Sequence, residues 1–91
     1  MELLLKIVTP TGTFGPFETD SIHLTVSEDL SEKGGGSYGI RPGHAKALLS
    51  IAEGKIEAFM KEKVLLCGQT GSGFATVEGN TVTVVVETYR G

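Results

Sequence analysis

The stretch from Phe74 to Tyr89 constrains the fold of this chain more than any other. Phe74 to Glu78 and Thr81 to Tyr89 are rich in β-branched residues, and Gly79-Asn80 between them tolerate positive φ. The segment therefore reads as a tight hairpin with Val82, Val84 and Val86 on one face of the return strand. So short a turn can only join antiparallel neighbours. Asp20 and Ser21 open a second clear pattern, in which Ile22, Leu24 and Val26 alternate with His23, Thr25 and Ser27. That is a half-buried strand with one wet face, and it puts His23 on the solvent side.

The amino-terminal residues fit the same class. Leu3 to Thr9 is apolar and β-branched and stops at Pro10, with Thr11 and Gly12 as the turn. Phe14 and Phe17 flank Gly15-Pro16, so a strand there is bent or lies at an edge, where a missing amide donor does little harm. The middle of the chain is ambiguous. Ala45, Leu48, Leu49, Ala52, Ile56, Phe59 and Met60 follow helical spacing, interrupted by Gly54. The same residues also read as strands, Ala47 to Ile51, Lys55 to Met60 and Lys63 to Gln69, with turns at Ala52-Glu53-Gly54 and Lys61-Glu62. Counted together, roughly seven to ten short strands with closely spaced turns point to an all-β antiparallel sandwich or flattened barrel.

Two glycine tracts invite a nucleotide reading, and context rejects both. Gly34, Gly36 and Gly39 have dinucleotide-fingerprint spacing, but polar residues separate them from the preceding strand and Arg41-Pro42-Gly43 cannot start the helix that the motif needs. Gly68 and Gly73 have phosphate-loop spacing, but Phe74 and Ala75 stand where lysine and a hydroxyl residue are required. A glycine-relieved bend or bulge between strands explains the second tract better. Gly39-Ile40-Arg41-Pro42-Gly43-His44-Ala45 is a different kind of feature. Pro42 fixes its own φ and holds Arg41 out of the helical region, and the glycines open conformations closed to other residues. The chain turns here and offers Arg41 and His44 on either side of the bend.

Composition limits what such a chain can do. Its 91 residues suit one domain, spanning 1–91, with one core and no large internal cleft. A net charge of −3 with scattered basic residues gives no reason to expect nucleic acid or an anionic membrane surface as partner. The single cysteine, Cys67, cannot close an intrachain disulfide, and no signal peptide precedes the first strand, so a cytosolic chain is expected. No apolar run approaches the ~20 residues of a membrane helix, so no direct membrane insertion is expected. His23 and His44 are the only imidazoles, and the sequence shows neither a nucleophile with its base nor a metal-ligand pattern. Cys67 is expected to be a buried small hydrophobe. No catalytic, cofactor-binding or metal site is expected; an interaction module fits better than an enzyme.

Leu5-Lys6-Ile7-Val8-Thr9-Pro10, Asp20-Ser21-Ile22, Gly39-Ile40-Arg41-Pro42-Gly43-His44, and Gly73-Phe74 followed by Gly79-Asn80-Thr81-Val82-Thr83-Val84 together resemble the amino-terminal domain of the epsilon subunit of F-type ATP synthase. The resemblance covers nearly the whole chain. It implies a ten-stranded β-sandwich, which resolves the ambiguous middle as strands. It also implies a non-catalytic subunit at the foot of the central stalk, packed on the gamma subunit and on the c-ring at the cytoplasmic face of a bacterial membrane, coupling ion flow to ATP synthesis or hydrolysis. On that reading Glu28, Asp29, Glu32, Tyr38, Arg41 and His44 face the ring. The alternative is a free-standing sandwich that binds a peptide or small ligand at exposed strand edges.

Three departures from the family pattern stand out. Arg41 occupies a place usually aliphatic, and Lys46 one often held by proline. The segment before the corner is longer than usual, mostly through Ser31 to Gly36. The chain also ends at Gly91, where many relatives continue into a two-helix domain that can bind ATP and inhibit hydrolysis, so neither activity is expected of these residues.

Overall fold

The computed structural model describes residues 2–27 and 36–91. The described chain forms ten strands: β1 (Leu3–Thr9), β2 (Gly12–Thr19), β3 (Ser21–Val26), β4 (Gly36–Ile40), β5 (Ala47–Ile51), β6 (Gly54–Met60), β7 (Lys63–Thr70), β8 (Gly73–Glu78), β9 (Thr81–Val86) and β10 (Tyr89–Arg90). Their pairing gives two five-stranded leaves. One runs β2-β1-β9-β8-β5 and the other β4-β3-β6-β7-β10. They join where Val26 of β3 meets Ile51 of β5, a contact flanked by hydrogen bonds from Ser27 N–H to the Ser50 carbonyl (3.1 Å) and from Ala52 N–H to the Thr25 carbonyl (3.0 Å). The expected hairpin is present, with Gly73 to Glu78 paired to Val86 to Thr81. The sheet is mixed: β1 lies parallel to β9, a pairing between distant segments that the local hairpin signals do not contain.

Alternation decides what each leaf buries. Leu3, Leu5 and Ile7 of β1, Ile22, Leu24 and Val26 of β3, Ile56 and Ala58 of β6, Ala75 and Val77 of β8, and Val82, Val84 and Val86 of β9 turn inward and form one core. The middle segment is three strands, because its side chains alternate across a sheet instead of lining one helical face. Leu49 is 6% exposed while its neighbour Leu48 is 68% exposed. Cys67 corrects its expectation. It is exposed, because it pairs with Glu57 on the outer face while Gly68 and Thr70 take the buried positions on β7.

β2 is an edge strand, as Gly15-Pro16 suggested, and its register slips between Leu5 and Ile7 where that dipeptide inserts an extra residue. Lys61 and Glu62 turn β6 into β7 with φ of 52° and 68°, and the Asp20 carboxylate accepts the Lys61 N–H at 2.8 Å, bracing the turn. The second glycine tract lets the chain pass from one leaf to the other. Gly71 donates to the Thr88 carbonyl (2.9 Å) and Glu87 to that of Ser72 (3.1 Å), so β7 and β10 bend together into β8 and β9. A Cβ on Gly73 would fall on the Val85 carbonyl oxygen, so this crossing tolerates no side chain there. At the open edge of the sandwich the Phe14 ring of β2 meets Tyr89 of β10 at 5.0 Å, bringing the outermost strands of the two leaves together.

Candidate functional site

The corner between β4 and β5 is a β-turn of type II character. Pro42 supplies the fixed φ at its second position, Gly43 takes φ +87° at its third, and the His44 N–H closes it onto the Arg41 carbonyl at 3.1 Å. Any other residue at Gly43 would be strained there. The corner crosses from the β4 leaf to the β5 leaf, so it sits at one end of the sandwich with the Lys61-Glu62 turn and the Gly79-Asn80 turn. Among the described residues Lys46 pairs with Glu78 across this end at 3.8 Å, both side chains well exposed, a contact that adds little to stability.

Tyr38, Arg41 and His44 meet here but play unequal parts. His44 folds back on the sheet. Its Nδ1–H donates to the Ala45 carbonyl at 2.7 Å, which leaves Nε2 to accept from the Tyr38 hydroxyl at 2.9 Å in the neutral ring, and the two rings stand edge to face at 5.7 Å. Tyr38 itself lies opposite buried Leu24 and packs against the core. Both ring nitrogens of His44 are thus engaged, and its local role is to brace the corner. Arg41 is exposed and is the charge that the corner presents.

Glu28, Asp29 and Glu32 lie outside the described residues. The strand ends on either side of them, Val26 paired with Gly36, are at the opposite end of the β3–β4 hairpin from Ile22 and Ile40, which lead into the corner. Within the described residues, the structure therefore brings together Tyr38, Arg41 and His44 only.

A second surface was not legible in the sequence. On the outer face of the β5-containing leaf, cross-strand register sets Ser50 beside Phe74, Phe74 beside Val85, and Val85 beside Val8. Leu48 and Phe74 are 68% and 45% exposed. Phe74 lines two open apolar hollows, one of about 410 Å³ with Pro10 among its walls and one of about 420 Å³ shared with Leu48 and Leu49. Phe74 and Ser50 lie toward the end of the leaf away from the corner, while Leu48, the second residue of β5, lies nearer it. The only advance signal of this surface is the doubled Leu48-Leu49, where one of two adjacent leucines in a strand must face out.

Among the described residues no group of three or more His, Cys, Asp or Glu side chains is placed to hold a metal ion, and no helix is long and apolar enough to cross a membrane. Tyr89 alone among the described residues shows a shifted acidity, its phenol pushed above its ordinary pKa first by burial and second by the nearby Cys67.

Residues 2–90 match the family described as "ATP synthase, Delta/Epsilon chain, beta-sandwich domain". The chain belongs to this family. Similar proteins include the ATP synthase epsilon chain of Synechococcus sp. (strain JA-2-3B'a(2-13)), 33% identical over 86 residues, and that of Geotalea uraniireducens (strain Rf4), 34% identical over 87 residues. These alignments take in 94% and 96% of this chain but 57% of each relative, so the Delta/Epsilon sandwich domain described here spans little more than half the length of those proteins. The fold is also that of a chain in the central stalk and c-ring structure of Tetrahymena thermophila mitochondrial ATP synthase, at a TM-score of 0.73 and 14% identity over 99% of this chain and 66% of that one. A chain in the OSCP/F1/c-ring structure of the Euglena gracilis enzyme gives the same TM-score at 17% identity, over 98% and 52%. Ten strands, the two-leaf sandwich and the Delta/Epsilon family all agree with the resemblance read from the sequence.

Proposed function

We propose that this chain acts as the non-catalytic, rotor-side sandwich of an epsilon-type ATP synthase subunit, seated on gamma and on the c-ring at the membrane face, where it couples ion translocation to ATP synthesis or hydrolysis. The observation that carries this reading is the presence of two unlike surfaces on a domain of this family. A polar corner presenting Arg41 stands at one end, and an apolar face around Phe74 and Leu48 stands on one leaf. A scaffold between two partners needs two such surfaces. The apolar face suits a lasting protein contact with gamma, since buried interface cores are apolar and aromatic-rich. The corner suits the polar loops of a ring, with Arg41 making the contact and Tyr38 and His44 holding the turn. Each seat should bury on the order of 1,000 Å² or more.

Co-purification with gamma tests the reading. The folded 91-residue chain is expected to bind gamma at micromolar concentration; a folded chain without that affinity removes the assignment. Attachment to the ring is tested separately by Arg41→Glu, and by reversing Glu28, Asp29 and Glu32 together to lysine. Loss with the first and retention with the second would make the corner the ring contact.

A further inference from the structure

The corner end holds a feature that a docking loop does not need. Two hollows of about 450 Å³ each open there, and His23 and Arg41 line both. One is walled additionally by Asp20, Ser21, Phe59, Lys61 and Glu62, whose formal charges with Arg41 sum to zero: +1 for Arg41, +1 for Lys61, −1 for Asp20 and −1 for Glu62. The other is walled by His23, Gly39, Arg41, Pro42, Gly43 and His44, and contains a guanidinium, two imidazoles and no carboxylate.

We propose that this second hollow is a binding site for a phosphate group. Arg41 supplies the charge and a planar fork of donors that matches two oxygens of an oxyanion. His23 supplies a ring N–H from the neighbouring strand. Its ring is held by packing on Phe59, with centroids 5.5 Å apart, while its contact from Nε2 to the Ser21 hydroxyl is long at 3.4 Å and is readily exchanged for a shorter bond to a ligand oxygen. His44 is the wall and not a donor, because its nitrogens are spent on Tyr38 and Ala45. Two glycines keep the site open: Gly39 has no side chain above the His23 ring, and Gly43 is fixed by its φ of +87° with nothing within 4 Å of where a Cβ would stand. Donors arriving from a strand and from the corner suit the several oxygens of phosphate better than the single plane of a carboxylate. The phosphate can belong to a free ion or to a phospholipid headgroup.

Titration of the 91-residue chain at low ionic strength distinguishes these cases and does not depend on the stalk reading, since neither gamma nor the ring is present. Amide shifts are followed with inorganic phosphate, with acetate at the same concentrations, and with phosphatidylglycerol vesicles by co-sedimentation. Saturable shifts at Gly39, Gly43 and His44 with phosphate, weakened roughly tenfold by Arg41→Gln and a few-fold by His23→Gln, support a free-ion site. Vesicle binding that Arg41→Gln abolishes, with no response to the free ion, supports the headgroup. An equal response to acetate overturns the phosphate assignment. Absence of both responses, or binding unchanged in Arg41→Gln with the native spectrum retained, overturns the site.

Discussion

The two outer faces of the sandwich follow the same strand alternation and carry opposite chemistry. On the β3-containing leaf the outward row is Gly39, His23, Glu57 and Cys67 in register, with Lys55 paired to Glu57 at 3.5 Å. On the β5-containing leaf it is Ser50, Phe74, Val85 and Val8. A face meant for water has no use for an exposed phenylalanine beside an exposed leucine, whereas a face awaiting a protein does. The difference lies between these two rows, since the β6–β7 end of the β3-containing leaf exposes Val64 and Leu65 outside the His23 row.

The largest expected effect compares the same substitution on the two leaves. Gly73→Ala puts a methyl on the Val85 carbonyl oxygen and 2.8 Å from the Val86 Cα, both backbone, and should cost on the order of 3 kcal/mol in denaturant unfolding. Gly39→Ala on the β3-containing leaf meets only the His23 ring at 3.5 to 3.6 Å and should shift stability by under about 0.5 kcal/mol. Equal costs would dissolve the distinction between a glycine pressed against a neighbour's backbone and one that faces only a side-chain ring.

Next in size is the effect on partner binding. Leu48→Glu and Phe74→Glu should weaken gamma affinity about tenfold or more while costing under about 1 kcal/mol of folding stability. Thr25→Glu on the β3-containing leaf should leave affinity unchanged. If both faces respond alike in a pull-down titration, the apolar leaf is not the docking face. Arg41→Glu, at the corner, should reduce ring attachment several-fold and alter unfolding by no more than about 0.5 kcal/mol. Lost thermal stability with normal assembly would make Arg41 structural.

Smaller effects concern the braces. Tyr38→Phe removes the 2.9 Å bond to His44 and should cost about 1 kcal/mol, read by urea unfolding. The smallest is a pH effect at Tyr89. Burial raises its folded-state pKa above the ordinary 10.0, so the folded state holds the phenolic proton more tightly than the unfolded chain. Its contribution is full below pH 10.0 and is lost as pH rises through the folded value, so Tyr89→Phe should flatten the alkaline end of a melting-temperature profile.

Much of this was legible before any coordinates. The β8–β9 hairpin, the alternation of β3, the edge character of β2 and the corner all rest on local chemistry: turn residues, period-two patterns and proline geometry. What was not legible has a common cause. Helical and strand periods both fit Ala45 to Met60, because ten apolar residues among sixteen supply a match to either one. Cys67 looked like core because Val64, Leu65 and Leu66 precede it, yet the β6–β7 hairpin runs past the core and leaves Val64 and Leu65 57% and 51% exposed. The role of His44 was hidden because its partner hydroxyl lies six residues away, and Pro42-Gly43 specify the bend without specifying which side chains meet across it.

The sequence by itself thus determined that the chain is all-β, where most strands begin and end, and, through its motif order, which family it belongs to. Only the tertiary structure decided that β1 lies parallel to β9, which leucine of Leu48-Leu49 faces out, and which glycines are required by a neighbour's backbone. Local propensity acts over a few residues and is written into them. Register across strands depends on which distant segments share one core, and the outer faces take their chemistry from that choice.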